Sequence, residues 1–130
     1  MLNQDWKRRN EILGLGKDNM DFLPFSNTTL DTVKTLYREN FMNVNEIQEW
    51  NDCPGNNNFY EFMKKHPDVK CHGYIIGIDR RDYRVTIKGL SFSAEPGKIV
   101  PHDLKTDFTN SFKMADEFIC KPHKIYCWYD

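Results

Sequence analysis

Residues 72–92 read HGYIIGIDRRDYRVTIKGLSF, two apolar-alternating runs on either side of the polar tetrapeptide Asp79-Arg80-Arg81-Asp82. This is the pattern of an antiparallel hairpin. With those four residues as the loop, Ile78 faces Tyr83, Ile76 faces Val85 and Tyr74 faces Ile87. Side chains alternate across a strand, so these apolar pairs share one face, the expected core side. A slip of one residue would oppose Ile76 to Arg84 and Tyr74 to Thr86, so the alternation predicts the first register.

The flanking segments supply company for this hairpin. At the C-terminus, KIYCWYD alternates Ile125, Cys127 and Tyr129 with Tyr126 and Trp128. It reads as a strand that joins the hairpin in a three-stranded antiparallel sheet, about the minimum for independent stability. Between them, 107–119 suits a helix through Phe108, Phe112, Ala115 and Ile119, or a strand through Leu104, Thr106, Phe108, Asn110 and Phe112. The longer helical pattern is preferred. Residues 93–102, SAEPGKIVPH, read as a loop.

The first half is mainly helical. Asn3 is positioned to cap a helix running to Ile12, which Gly14 and Gly16 stop. Residues 18–26, with Pro24, read as an ordered loop burying Phe22 and Phe25. Residues 28–31, Thr-Thr-Leu-Asp, have the form of a capping box and open a helix striped by Leu30, Val33, Tyr37 and Phe41. A short helix is expected after Asn45, with Ile47 and Trp50 three apart, then a turn over 51–56. Asn58 is the expected cap of a further helix striped by Phe59, Phe62 and Met63. The fold expected is α+β: a small antiparallel sheet built on the 72–92 hairpin plus the C-terminal strand, with helices from the N-terminal half on one face.

Length and composition agree with a single domain over residues 1–130. Apolar residues are 39%, but aromatics reach 14%, so the core is expected to be rich in large rings. Basic and acidic residues nearly balance, at 18 and 19, which argues against a dedicated nucleic-acid binder while leaving room for a local basic strip. No apolar run approaches the roughly 18 residues of a membrane span. The first residues lack an apolar signal core, and Cys53, Cys71, Cys120 and Cys127 contain no C-x-x-C pair. A cytoplasmic protein with reduced, mostly buried thiols is the expectation.

Chemistry-bearing patterns are few. Cys120, His123 and Cys127 have the spacing C-x₂-H-x₃-C, and Cys71 or His72 would complete a zinc set, but the spacing matches no standard knuckle or ribbon. Two strand cysteines around a surface turn explain it equally well, so no metal or cofactor is assigned. No catalytic residue is assigned either. The pairs Cys71-His72 and His102-Asp103 are sequence neighbours, which on a strand point to opposite faces. Asp79 and Asp82 read as turn residues, and Gly14 and Gly16 follow a helix rather than a strand, against a dinucleotide loop.

The surface with most binding character is the reverse of the hairpin. Arg84 and Lys88 there stand opposite Gly77 and Gly73, with Arg80 and Arg81 at one end and Lys70 and Trp128 close by if the C-terminal strand joins the sheet. Bare glycines mark a close-packed ring or backbone, or a ligand. The binding candidates are therefore Arg80, Arg81, Arg84, Lys88 and Trp128. Tyr37, Trp50, Tyr60 and Tyr74 are the candidates for lining a pocket between helices and sheet.

The motifs H-G-Y at 72–74, D-Y-R-V-x-I-x-G-L at 82–90 and the terminal W-Y-D at 128–130 resemble small bacterial proteins of mobile gene cassettes, such as those of integrons. That resemblance implies a single α+β domain of accessory role and carries over no site residue. The expected function is binding rather than catalysis, to a protein partner or to a second copy through an edge strand, 72–79 or the C-terminal one. The alternative is a small enzyme or ligand-binding protein using the aromatic pocket for a small molecule. Nucleic acid and membrane are not expected partners.

Overall fold

A computed structural model describes residues 1–16, 21–44 and 53–130. The elements run α1 (Trp6–Leu13), β1 (Phe22–Thr28), α2 (Leu30–Arg38), α3 (Asn56–Lys65), β2 (Lys70–Ile76), β3 (Arg84–Ser93), α4 (His102–Phe112), β4 (Glu117–Lys121) and β5 (Lys124–Trp128). The strands form one antiparallel sheet in the order β1-β2-β3-β5-β4. The fold is α+β, with the C-terminal strand beside the hairpin as expected.

Helix ends follow local chemistry. The Asp5 carboxylate accepts the Arg8 N–H at 3.2 Å, in place of the expected Asn3, whose Oδ1 instead accepts the Asp5 N–H. Gly14 ends α1 at φ +70°, a left-handed conformation that costs glycine nothing. Thr29 caps α2. The expected helix after Asn45 lies outside the described residues.

One apolar cluster holds the two layers together. Leu30, Val33 and Leu36 of α2, Phe59, Phe62 and Met63 of α3, and Leu104, Phe108 and Phe112 of α4 meet Cys71, Ile75, Val85, Ile87, Leu90, Ile125 and Cys127 of the sheet. Rings dominate where α3, α4 and β4 converge: Phe59 stacks on Phe112 at 5.6 Å and Phe108 on Phe118 at 5.4 Å. At the rim His66 Nε2 lies 2.9 Å from Asp107 Oδ2 and Lys65 Nζ 2.8 Å from the same oxygen, tying α3 to α4.

The hairpin register is the main correction. Ile76 pairs with Arg84, Ile75 with Val85, Tyr74 with Thr86 and Gly73 with Ile87, which is the one-residue slip that the alternation argued against. The connection is longer than the expected tetrapeptide, running from Gly77 to Tyr83 through two successive turns, with Arg80 N–H on Gly77 O and Tyr83 N–H on Arg80 O. The physical reason is the unbroken run Tyr74-Ile75-Ile76, which offers an apolar residue to either face. Val85 and Ile87 face the helices as expected, but their partners are Ile75 and Gly73, while Tyr74 turns to the reverse side and packs at a tilt against Phe22, ring centres 4.7 Å apart.

Further along, His72 pairs with Gly89 where Gly73 paired with Ile87, so Lys88 is an extra residue bulged out of the ladder. The bulge keeps both Ile87 and Leu90 on the covered face.

Three other expectations change. Residues 22–28 are an edge strand rather than a loop; Phe25 is buried in it and Phe22 is 52% exposed. The 107–119 ambiguity resolves into both readings in succession, with α4 ending at Phe112 and β4 starting at Glu117. The strands expected at the sheet edge, 72–79 and the C-terminal one, are interior, and the edges are β1 and β4.

Asn56, not Asn58, does the important work at the start of α3. Its Nδ2 donates to Val85 O and its Oδ1 accepts the Ile87 N–H, both at 2.8 Å. β5 pairs with β3 only over Gly89–Ser93, so the buried amide continues the ladder where β5 has run out.

Candidate binding face

Among the described residues, α2, α3 and α4 build the cluster and Ile12 and Leu13 of α1 pack against it on one side of the sheet, so strand alternation assigns the residues of the reverse side. Phe22 and Pro24 come from β1, Lys70, His72, Tyr74 and Ile76 from β2, and Arg84, Thr86, Gly89 and Ser91 from β3. β5 adds Lys124, Tyr126 and Trp128, and β4 adds Glu117, Ile119 and Lys121. Across the strands these fall into rows: Lys70, Ser91, Tyr126 and Ile119 in one, and His72, Gly89, Trp128 and Glu117 in the next. His72, Tyr74, Tyr126 and Trp128 are each half-buried, so their ring edges and faces reach solvent.

His72 is the most tightly held polar group on this face. Its Nδ1 accepts the Asn27 backbone N–H at 3.1 Å, and its Nε2 lies 2.6 Å from Ser91 Oγ, with the Tyr126 ring 5.9 Å away. A backbone N–H can only donate, so Nδ1 carries no proton in the neutral ring and Nε2–H donates to Ser91. A base acting on Ser91 would need a bare Nε2, so the pair positions β1 against β2 and β3 rather than activating a nucleophile. Burial, and then the nearby Lys124 charge, hold the His72 pKa below its ordinary value.

The sequence-derived strip is only partly assembled. Arg80 and Arg84 both spend their charge on Asp82: Arg80 Nε is 3.2 Å and Arg84 Nη1 is 3.0 Å from its carboxylate oxygens. Arg84 Nε also donates to Thr86 Oγ1 at 2.7 Å. Arg81 is exposed in the connecting loop, and Lys88 is buried at 6% exposure. Trp128 does lie on the face, its Nε1 donating to Asp130 Oδ1 at 3.0 Å.

Gly73 is bare for the packing reason. A Cβ on Gly73 would sit 1.9 Å from Thr86 O and 2.9 Å from the Phe25 ring, on the covered side and not beside Lys88.

The pocket candidates do not converge. Tyr37 and Tyr60 stack at 4.3 Å on the helical layer, where the Tyr37 hydroxyl donates to Asn57 Oδ1 at 2.6 Å. Tyr74 is on the other side of the sheet with Phe22, and Trp50 lies outside the described residues. These tyrosines therefore share no cavity. A groove of about 660 Å³ opens instead at the Lys70 end of the bare face, lined by Asn27, Ser91, Ser93, Lys98 and Glu95 among others.

The thiols are poor candidates for chemistry. Burial pushes Cys71 and Cys127 up to about 12, far from the thiolate that a nucleophile requires. Cys127 faces the core while His123 is exposed in the turn between β4 and β5. Among the described residues no group of three His, Cys, Asp or Glu side chains is placed to hold a metal ion, and no helix is long and apolar enough to cross a membrane.

Sequence reasoning missed His72, Ser91, Lys121 and Lys124. The first two were legible only with the bulge in place, since without it His72 falls opposite Lys88. The lysines needed β4, whose last residue Lys121 pairs directly with Lys124. Two like charges across a hairpin repel. Compared with protein-family models, with curated proteins and with solved structures, the chain matches none.

Proposed function

We propose that this chain is a binding module whose working surface is the bare sheet face, and that it takes an extended, acidic segment of a protein partner. The observation that carries the reading is the pairing of half-exposed rings with exposed lysines on the side that carries no helix among the described residues. Lys70 belongs to the row of Ser91 and Tyr126, Lys124 lies in the adjoining row opposite Ser93, and the groove lined by Lys70 and Ser91 adjoins that end. Flat rings supply contact area at small entropic cost, and the lysines supply attraction for carboxylates. Nucleic acid fits less well. Arg80 and Arg84 share the single charge of Asp82 and Lys88 is buried, so among the described residues these three offer less to a phosphate backbone than the sequence suggested. A cytoplasmic accessory role, as the gene-cassette resemblance implies, belongs to the same proposal.

The test uses a fluorescently labelled oligo-glutamate peptide and a single-stranded DNA of equal charge, each titrated with the protein and followed by anisotropy. The peptide should bind, weaken as salt is raised, and lose most of its affinity for the Lys70→Glu/Lys124→Glu variant. Absence of peptide binding, unchanged binding to the variant, or stronger binding of the DNA would overturn the proposal.

A further inference from the structure

The sheet has two edges, and they are not equivalent. In β1, Pro24 has no N–H to donate, the pairing with β2 shifts between Phe25 and Thr28, and Asn27 adopts φ +54° with its N–H already on His72. Such an edge resists a further strand. β4 is regular: Glu117 to Lys121 pair with β5 residue for residue without interruption.

The connection from β4 to β5 is two residues, Pro122-His123, so Lys121 and Lys124 form the hydrogen-bonded pair that closes the hairpin. Glu117, Ile119 and Lys121 then direct their backbone groups to β5, and Phe118 and Cys120 direct theirs outward. Among the described residues no other group takes those outward N–H and C=O groups.

The sequence of this edge, Glu117-Phe118-Ile119-Cys120-Lys121, is complementary to itself in the antiparallel sense. We infer that a second copy of this chain adds to the sheet through β4, about a two-fold axis at Ile119. In that register Phe118 pairs with Cys120 of the second copy through both outward backbone groups, and Ile119 meets its own counterpart at the closer, non-hydrogen-bonded position. Glu117 falls opposite Lys121 of the second copy, twice over, on the bare face. Among the described residues neither side chain has an ion pair within its own chain. The arrangement also relieves the Lys121–Lys124 repulsion. It closes on itself, because each copy's remaining edge is the guarded β1, and it leaves Lys70 and Lys124 free. The inference does not rest on the proposed partner.

Sedimentation velocity over a range of concentrations tests it with four proteins, each checked by far-ultraviolet circular dichroism. The unmodified chain should dimerise with concentration. Glu117→Lys and Lys121→Glu should each remain monomeric where the parent is dimeric, since each sets like charges opposite each other. An equimolar mixture of the two single variants should form a one-to-one heterodimer, and the Glu117→Lys/Lys121→Glu double variant should dimerise again. A parent that stays monomeric throughout overturns the inference. So do single variants that dimerise like the parent, or folded variants whose mixture and double form fail to recover.

Discussion

The two sides of one sheet are built on different physical terms. On the covered side Cys71, Ile75, Val85, Ile87 and Leu90 meet three helices, and rings fill the space between. On the bare side the groups are held to one another by polar contacts: Arg84 to Asp82 and Thr86, His72 to Ser91 and Asn27, Trp128 to Asp130. The exposed groups of the bare side, Lys70 and Lys124 among them, are therefore free to change at small energetic cost, whereas Ile76 and Thr86 on the same side are buried like the core.

Substitutions ranked by effect would break or sharpen that contrast. Phe108 is fully buried between α3, α4 and β4, and Phe108→Ala should destabilise by about 3–5 kcal/mol in urea unfolding. Gly73→Ala pushes a methyl into backbone at Thr86 and should cost about 3 kcal/mol, with Phe25 displaced from the sheet. A near-neutral result for Gly73→Ala would mean that the bulged register is wrong. Asn56→Ala strands a buried carbonyl and a buried N–H, so about 2 kcal/mol should be lost even though no apolar packing is removed.

Smaller effects belong to the bare side. The folded-state pKa of His72 is depressed, so between that value and the ordinary one near 6.5 the unfolded chain binds more protons than the folded one. The His72 contribution to stability is therefore full above the ordinary value and falls as pH drops through the folded one. Protonation puts a hydrogen on Nδ1 and expels the Asn27 N–H. Unfolding of the parent and of His72→Gln, compared at neutral and mildly acidic pH, should show the gap between them shrinking on acidification. Trp128→Ala, the smallest, should shift stability by about 1 kcal/mol or less. A loss there as large as that of Phe108→Ala would show that the two sides do not differ as described.

How much of this was written in the residues depends on the period of each segment. Residues 30–38 carry one clean helical stripe, and their identity as a helix follows from it. The cap, however, is Thr29 with Thr32 rather than the box expected over 28–31, and the helix ends at Arg38 before Phe41. The alternation in 124–128 likewise assigns Ile125 and Cys127 to the core without ambiguity. The hairpin was harder because three consecutive apolar residues make both faces acceptable, and only the Phe25 ring over Gly73 decides between them. Phe25 belongs to a strand that holds Pro24, and proline in an edge position hides a strand from composition rules. The binding face was legible at Trp128, which alternation with Ile125 and Cys127 places, but not at Lys70, which the expected register would have turned to the core side with Tyr74. It was illegible at His72, whose side turned on the hairpin register, and at Lys88, which a bulge that local patterning does not encode takes out of the ladder.

The Asn56 side chain gives this fold an internal reporter. The Ile87 amide is shielded by a carboxamide borne on a helix rather than by a neighbouring strand. Its exchange with deuterium therefore follows the lifting of α3 from the sheet, whereas the amides of β2 and β5 follow the opening of the sheet itself. Comparing the two rates separates, in one spectrum, the detachment of a layer from the unfolding of the whole.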